Sequence, residues 1–195
     1  MARPVRCWSI LLLAAIINSG CATRQISEPE KQVRIAALAS EFRQLSPKVN
    51  PAEAQRAADA AVRYPLQLAV EWHAIRPSWY NNFLINAGIH PRGLCYQWAD
   101  DLTMKLMTLH LQTLELHRGV AHLGKPREHS CVVVVAPGQN FTNGIALDAW
   151  HYAGELHWAV VPQDDYPWKE VNLVPAYRAY LQAGADKLEK SSRPE

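Results

Sequence analysis

The sequence contains no long apolar run, no basic cluster and no regular set of metal ligands, and each absence excludes a class of protein. The largely apolar stretch at residues 8–17 has only ten residues, too few for a helix that crosses a bilayer. Basic runs and interleaved basic and aromatic residues are missing, so we expect no nucleic-acid partner. His110, His117 and His122 lack the spacing of a structural zinc site, and we expect neither a metal nor a cofactor.

Cysteine is scarce, with four residues in the whole chain. Cys7 lies within the amino-terminal segment and Cys21 follows it directly, which leaves Cys95 and Cys131 in the body of the protein. In an oxidising compartment, these two cysteines allow one disulfide.

The amino-terminal residues have the pattern of a secretory signal. Two arginines precede the apolar stretch, and the small residues 19–20 come directly before Cys21. This arrangement resembles the lipobox of bacterial lipoproteins, although Asn18 stands where that motif prefers leucine. We expect removal of residues 1–20 and lipidation of Cys21, with ordinary cleavage and no lipid as the alternative.

The expected mature protein is anchored to a membrane by its lipid and carries no net charge. Removal of residues 1–20 takes away two of the 20 basic residues and none of the 18 acidic ones, which leaves 18 of each. Ala22, rather than aspartate, follows the lipidated cysteine. By resemblance to lipoprotein sorting in enteric bacteria, this favours the outer membrane, with the protein facing the periplasm or the cell surface.

Helix signals dominate the first half of the chain. Ser27 begins a capping box, and Asn50 repeats this start signal before an alanine-rich segment. Pro65 and Pro77 each open a further helical stretch. We expect four helices: from Ser27 to about Leu45, from Asn50 to about Arg63, over 66–75, and from Pro77 to near Gly88.

The pattern changes from helix to strand after about residue 111. Apolar segments alternate with loops rich in Gly, Pro and Asn, which predicts an antiparallel meander. Both faces of residues 131–135 are apolar, so this strand is expected to be central. The predicted strands are 114–123, 131–136, 145–150 and 156–161, and a last helix begins near Pro175. We therefore expect a tether over 21–27 and a single α+β domain over 28–195, with a helical half packed on the sheet.

Cys95 opens a predicted helix directly after a Pro/Gly break at residues 91–93. Unpaired N–H groups and the positive end of the helix dipole at this position stabilise a thiolate. The pattern favours a nucleophile, and the alternative is a small buried hydrophobe. Asp100 and Asp101, further along the helix, are expected on a solvated face.

His129 and Asp148 complete a candidate catalytic triad with Cys95. An imidazole within reach of a thiol removes its proton near neutral pH. A carboxylate behind the imidazole fixes the ring tautomer and stabilises the imidazolium. His157 is the alternative base. Asp148 could instead be an edge or turn residue.

The candidate site also needs donors for a developing oxyanion. The backbone N–H of Cys95 is one candidate. The second donor has no decisive spacing, and the upstream residues that can supply it are Trp79, Asn81, Asn82 and His90.

The turn between the two central strands predicts how His129 meets Asp148. A two-residue hairpin at residues 138–139 places the two side chains directly opposite each other. A turn at residues 143–144 instead pairs His129 with Trp158. Strand alternation puts Cys131 on the same face as His129, so we expect Cys131 near the Cys95 helix.

The pattern of these residues is similar to the core of the transglutaminase-like branch of papain-fold cysteine enzymes. That pattern is a helix that begins Gly-x-Cys-x-x-aromatic-Ala, then a strand led by His, then a strand with Asp near an aromatic residue. The matching residues are Gly93, Cys95, Trp98, Ala99, His129, Asp148 and Trp150. The resemblance covers about residues 91–161. The sequence departs from the family at Ala149, where Asp-Pro is common, and after His129, where Ala-Trp is frequent.

The resemblance implies a papain-like fold and a cysteine hydrolase or acyltransferase that acts on an amide through a thioester. The substrate is expected to be a peptide, a protein or a peptidoglycan amide. Trp98 and Trp150 are candidates for the pocket wall or the core. The alternatives are a silent envelope lipoprotein with a Cys95–Cys131 disulfide and a binding module with a papain-like groove.

Overall fold

The computed structural model describes residues 26–192. The predicted signal, the predicted lipid site at Cys21 and residues 22–25 of the predicted tether lie outside the described residues. Ile26 is already buried, and the Ser27 side chain accepts a hydrogen bond from the first turn of the first helix. The last two residues of the predicted tether therefore belong to the folded domain.

Two long helices form the amino-terminal layer: α1 (Glu28–Gln44) and α2 (Pro51–Glu71). The Asn50 carboxamide caps α2 by accepting from the N–H groups of Ala52 and Glu53, at 2.9 and 3.2 Å. The predicted break at Pro65 is wrong, because α2 continues through this buried proline. The apolar face of α2 continues beyond the proline with Leu68 and Ala69, and burial of that face offsets the lost backbone hydrogen bond.

Three further helices complete the helical part of the described chain. They are α3 (Ser78–Asn86), α4 (Cys95–Met107) and α5 (Pro175–Ser192). Among the described residues, no helix is both long and apolar enough to cross a membrane.

A five-stranded antiparallel sheet packs against the helices. Its strands are β1 (Glu115–Ala121), β2 (His129–Val135), β3 (Ile145–Tyr152), β4 (Glu155–Val160) and β5 (Lys169–Glu170), in the order β4-β3-β2-β1-β5. The first four strands form the predicted meander. β5 was not predicted, since two residues carry no periodicity. The fold is therefore α+β.

The central strand β2 separates two apolar clusters. Every residue of β2 is buried, as predicted from its two apolar faces. Val132 and Val134 lie in the main core with residues of α1, α2 and α4, whereas Val133 and Val135 lie in a smaller cluster with Phe141. The main core thus lies between the helices and one face of the sheet.

Asp100 contradicts the expectation of a solvated helix face on α4. Its carboxylate is buried, forms an ion pair with Arg118 of β1 and accepts from the Tyr177 hydroxyl of α5 at 2.6 Å. Asp101 is half-buried and pairs with Arg92 at 2.8 Å. The helical periodicity placed Asp100 away from the main core correctly, but α5 covers that side.

Candidate active site

The turn that leads into Cys95 depends on Gly93. Gly93 has a φ of +129°, which L side chains rarely adopt. A Cβ at this position would lie 2.6 Å from Nδ2 of the Asn81 side chain. Glycine is therefore required both by the backbone conformation and by the close approach of α3.

Residues of the first turn of α4 hold this approach in place. The Gln97 side chain accepts from the N–H groups of Gly93 and Leu94, at 2.9 and 3.0 Å. The Trp98 indole N–H donates to the Gly93 carbonyl at 2.9 Å. Three hydrogen bonds from inside the helix thus fix the backbone directly before Cys95.

The thiol of Cys95 lies at the open end of α4. Its side chain is half-buried, and Sγ lies 3.8 Å from the carbonyl oxygen of Glu128, the residue directly before β2. In the first turn, the N–H groups of Gln97 and Trp98 donate to the Leu94 carbonyl. The Cys95 N–H has no acceptor among the described residues, as expected at a helix start. It remains available to a developing oxyanion.

His129 and Asp148 form a direct pair. Nε2 of His129 lies 2.7 Å from Oδ2 of Asp148, and both side chains are buried. The other carboxylate oxygen, Oδ1, accepts from the backbone N–H groups of Trp150 and His151, at 2.9 and 3.2 Å. These bonds hold the carboxylate against the imidazole and leave Nδ1 of His129 for the thiol of Cys95.

Electrostatics favour the charged form of the imidazole. Burial lowers the pKa of His129, but the hydrogen bond to Asp148 and the electrostatic interaction with Cys95 raise it by more, so the pKa rises to about 9. An imidazolium is therefore favoured at neutral pH. This is the charge state that stabilises a thiolate on Cys95.

The predicted hairpin register is wrong, although the contact that it predicted is present. The observed partners are Val132↔Leu147 and Val133↔Ala146, and a loop with the 3-10 turn Phe141–Asn143 replaces the two-residue hairpin. Continued along the strands, this register makes His129 and Asp148 diagonal neighbours on one face, a separation that long side chains bridge. The alternative pairing through residues 143–144 is also wrong.

Aromatic rings surround the imidazole of His129. Its ring centroid lies 4.7 Å from that of Trp150, 4.6 Å from Tyr166 and 5.3 Å from Trp168. Trp150 therefore lies against the imidazole of the candidate site. Trp98 belongs to the main core, where it packs against Trp72.

Sequence reasoning missed Tyr166 and Trp168. Both lie in the loop after β4, where Asp164 accepts from the Tyr166 N–H at 3.0 Å. The only signal was an aromatic pair around Pro167, and a loop residue has no periodicity that predicts which element it covers.

Cys131 does not take part in the site. Both cysteines are free, which contradicts the Cys95–Cys131 disulfide. The expected approach of Cys131 to the Cys95 helix is also wrong, because it lies in the smaller apolar cluster, which contains no residue of α4. Val132 and Val134 occupy the face towards α4, and alternation puts Cys131 on the other face, which it shares with His129. His129 nevertheless interacts with Cys95, because it is the first residue of β2. Burial raises the pKa of the Cys131 thiol well above its usual value.

His157, the alternative base, is engaged elsewhere. It is the β4 partner of Asp148 in the backbone register. Its Nε2 nevertheless lies 3.7 Å from Oδ2 of Asp164, and its ring stacks on His151. The nearby Asp164 carboxylate raises the pKa of His157. The structure thus brings Cys95 together with His129 rather than with His157.

The upstream polar residues differ in what they can donate. The Asn81 carboxamide is buried and bonds to the Ile75 N–H and to Nδ1 of His90. Asn82 accepts from the Trp150 indole N–H at 3.0 Å, which leaves its NH₂ group free to donate. Trp79 is 68 % exposed. Asn82 is therefore the upstream residue that the structure ties to the wall of the site.

Among the described residues, no group of three or more His, Cys, Asp or Glu side chains is arranged to hold a metal ion. Comparisons with protein-family models, with curated proteins and with solved structures found no match.

Proposed function

We propose that this protein is a cysteine hydrolase or acyltransferase with a papain-like core, which acts on an amide bond through a thioester on Cys95. The observation that carries the proposal is the 2.7 Å bond between His129 and Asp148, combined with the interaction of the same imidazole with Cys95. A nucleophile, a base and a residue that orients the base are thus contiguous.

The chemistry follows from these three groups. The thiolate attacks the amide carbonyl carbon, a C–S bond forms, and the carbonyl oxygen takes the negative charge. The imidazolium of His129 then gives its proton to the leaving amine as the C–N bond breaks. Water or a second amine attacks the thioester, His129 takes its proton, and the C–S bond breaks to restore the thiolate.

Two donors are proposed for the oxyanion. The Cys95 N–H is free at the helix start, and the Asn82 carboxamide is oriented by the Trp150 indole. Loss of one such donor costs roughly 10²–10³-fold in turnover in other acyl-transfer enzymes. We expect Asn82→Ala to reduce deacylation and acylation rates, with Asn86→Ala on the same helix as the matched control.

Acylation with p-nitrophenyl acetate tests the function. After an acid quench, mass spectrometry should place the acetyl group on Cys95 in the wild-type chain. The Cys95→Ala variant should lose this product, the His129→Ala variant should form it at least about 10²-fold more slowly, and Cys131→Ala should behave as wild type. Acetylation at other residues only, or an unchanged rate in His129→Ala, would contradict the proposal.

We further propose that the chain is a cell-envelope lipoprotein anchored through Cys21, on the basis of the lipobox-like residues before that cysteine. Wild-type protein should then fractionate with membranes and carry the mass of an attached lipid. A Cys21→Ser protein that stays membrane-bound at unchanged mass would overturn this assignment.

A further inference from the structure

A groove of about 840 Å³ lies at the far end of α4 from Cys95. Its walls come from the carboxyl-terminal half of α4, from β1, from the segment after β5 and from α5. Leu114 and the first four residues of β1 line this groove without a gap. Successive strand residues point to opposite faces of the sheet, so a cavity on one face would be lined by every second residue. Because consecutive residues of β1 line this groove, it follows the edge of the sheet.

That edge of β1 is only partly covered. β5 pairs with Gly119 and Val120, and the Val171 N–H donates to the Arg118 carbonyl at 3.0 Å. In an antiparallel ladder, the N–H and C=O of one residue point to the same side and alternate along the strand. Leu116, two residues before Arg118, therefore presents both groups to the groove, where they meet no partner among the described residues.

The side chains around this edge suit a peptide. Apolar residues of α4 and α5 form one wall, including Leu106, Met107 and Leu181. The Arg118 side chain is 5 % exposed and bonds to Asp100 through Nη2 alone. Its Nε and Nη1 have no hydrogen-bond partner in the part of the chain that the structure describes. A carbonyl or carboxylate oxygen in the groove would satisfy them.

We propose that this groove binds an extended peptide segment, which adds a strand to the open edge of β1. β5 already uses the same edge in this way, but over two residues only. A longer strand would continue the pairing along Leu116 and place alternate side chains against the apolar wall. The site is independent of the proposed function, since α4 separates it from Cys95 by roughly 18 Å.

Selection from a displayed library of random octapeptides on the full chain tests this proposal. Enriched peptides should bind the Leu116→Ala variant within about threefold of wild type, because alanine keeps the outward N–H. They should bind Leu116→Pro at least tenfold more weakly, because proline removes it. Far-ultraviolet circular dichroism spectra and cooperative thermal unfolding that match wild type show that both variants are folded.

A second measurement does not depend on any variant. N-methylation along an enriched peptide should abolish binding at alternate positions only, as strand pairing requires. Failure to enrich any peptide, equal binding to Leu116→Pro, or no alternation would overturn the proposal. Self-association of the chain would also overturn the proposal, if Leu116→Pro abolishes it and enriched peptides do not displace it. The occupant of the groove would then be a second copy of the chain.

Discussion

At the residue scale, the candidate site depends on a carboxylate with both oxygens committed. Asp148 holds His129 with one oxygen and two backbone N–H groups with the other. Asparagine at this position keeps the size of the side chain but replaces one carboxylate oxygen with an NH₂ group. That group cannot accept a hydrogen bond from the N–H that faces it, so the imidazole loses its orientation. We expect Asp148→Asn to slow Cys95 acetylation on the order of 10²-fold or more.

Asp164→Asn is the matched control for this prediction, because Asp164 lies near the site but faces His157 at 3.7 Å and accepts from the Tyr166 backbone N–H, not from His129. Equal rate losses in the two variants would show that Asp148 acts only through the fold.

The raised pKa of His129 also predicts how stability depends on pH. A histidine whose pKa is about 9 in the folded protein, against an ordinary value of 6.5, stabilises the fold fully below pH 6.5. This contribution is lost as the pH rises through 9, and it amounts to at most about 3 kcal/mol. The free energy of unfolding, from urea titrations at pH 6 and 9.5, should fall more in wild type than in His129→Gln. Parallel falls would contradict the raised pKa.

At the scale of elements, the position of the thiol depends on how α4 begins. Gly93→Ala combines a strained φ with a Cβ placed 2.6 Å from Asn81. We expect a stability loss of roughly 1–3 kcal/mol and slower Cys95 acetylation, because α3 and α4 must separate. Thermal unfolding and the acetylation rate measure the two effects.

Gly138→Ala is the control for this change. Gly138 also has a positive φ, +78°, but a Cβ added there would meet no atom within 4 Å. The Gly138→Ala variant should lose stability through backbone strain alone, and its rate of Cys95 acetylation should be unchanged. A Gly138→Ala protein that is also slow would mean that crowding at Gly93 is not the cause.

Elements with strong local signals were predictable, and those set by distant contacts were not. The capped starts at Ser27 and Asn50 and the apolar strand β2 have their causes within a few residues. The continuation of α2 through Pro65 depends on packing against other elements. The β2–β3 register depends on a loop whose 3-10 turn the Gly and Asn residues do not specify. The His129–Asp148 contact survived this error because same-face positions two residues apart remain within reach.

At the scale of the whole molecule, one buried ion pair joins three elements. Asp100 of α4 bonds to Arg118 of β1 and to Tyr177 of α5. Asp100→Leu would leave the Arg118 charge buried without its partner, which costs about 3–5 kcal/mol. Denaturant unfolding should show this loss, and Asp101→Leu, at a more exposed pair, should lose about 1 kcal/mol or less. Equal losses would contradict the structural role of Asp100.

With the proposed lipid on Cys21, the burial of Ile26 would limit how far the domain can move from the membrane. Five chain steps separate it from Cys21, and an extended chain spans at most about 3.3–3.6 Å per residue. Ile26 itself would then stay within roughly 18 Å of the bilayer surface. Such a domain could turn on its short tether but could not diffuse away from the membrane that holds it.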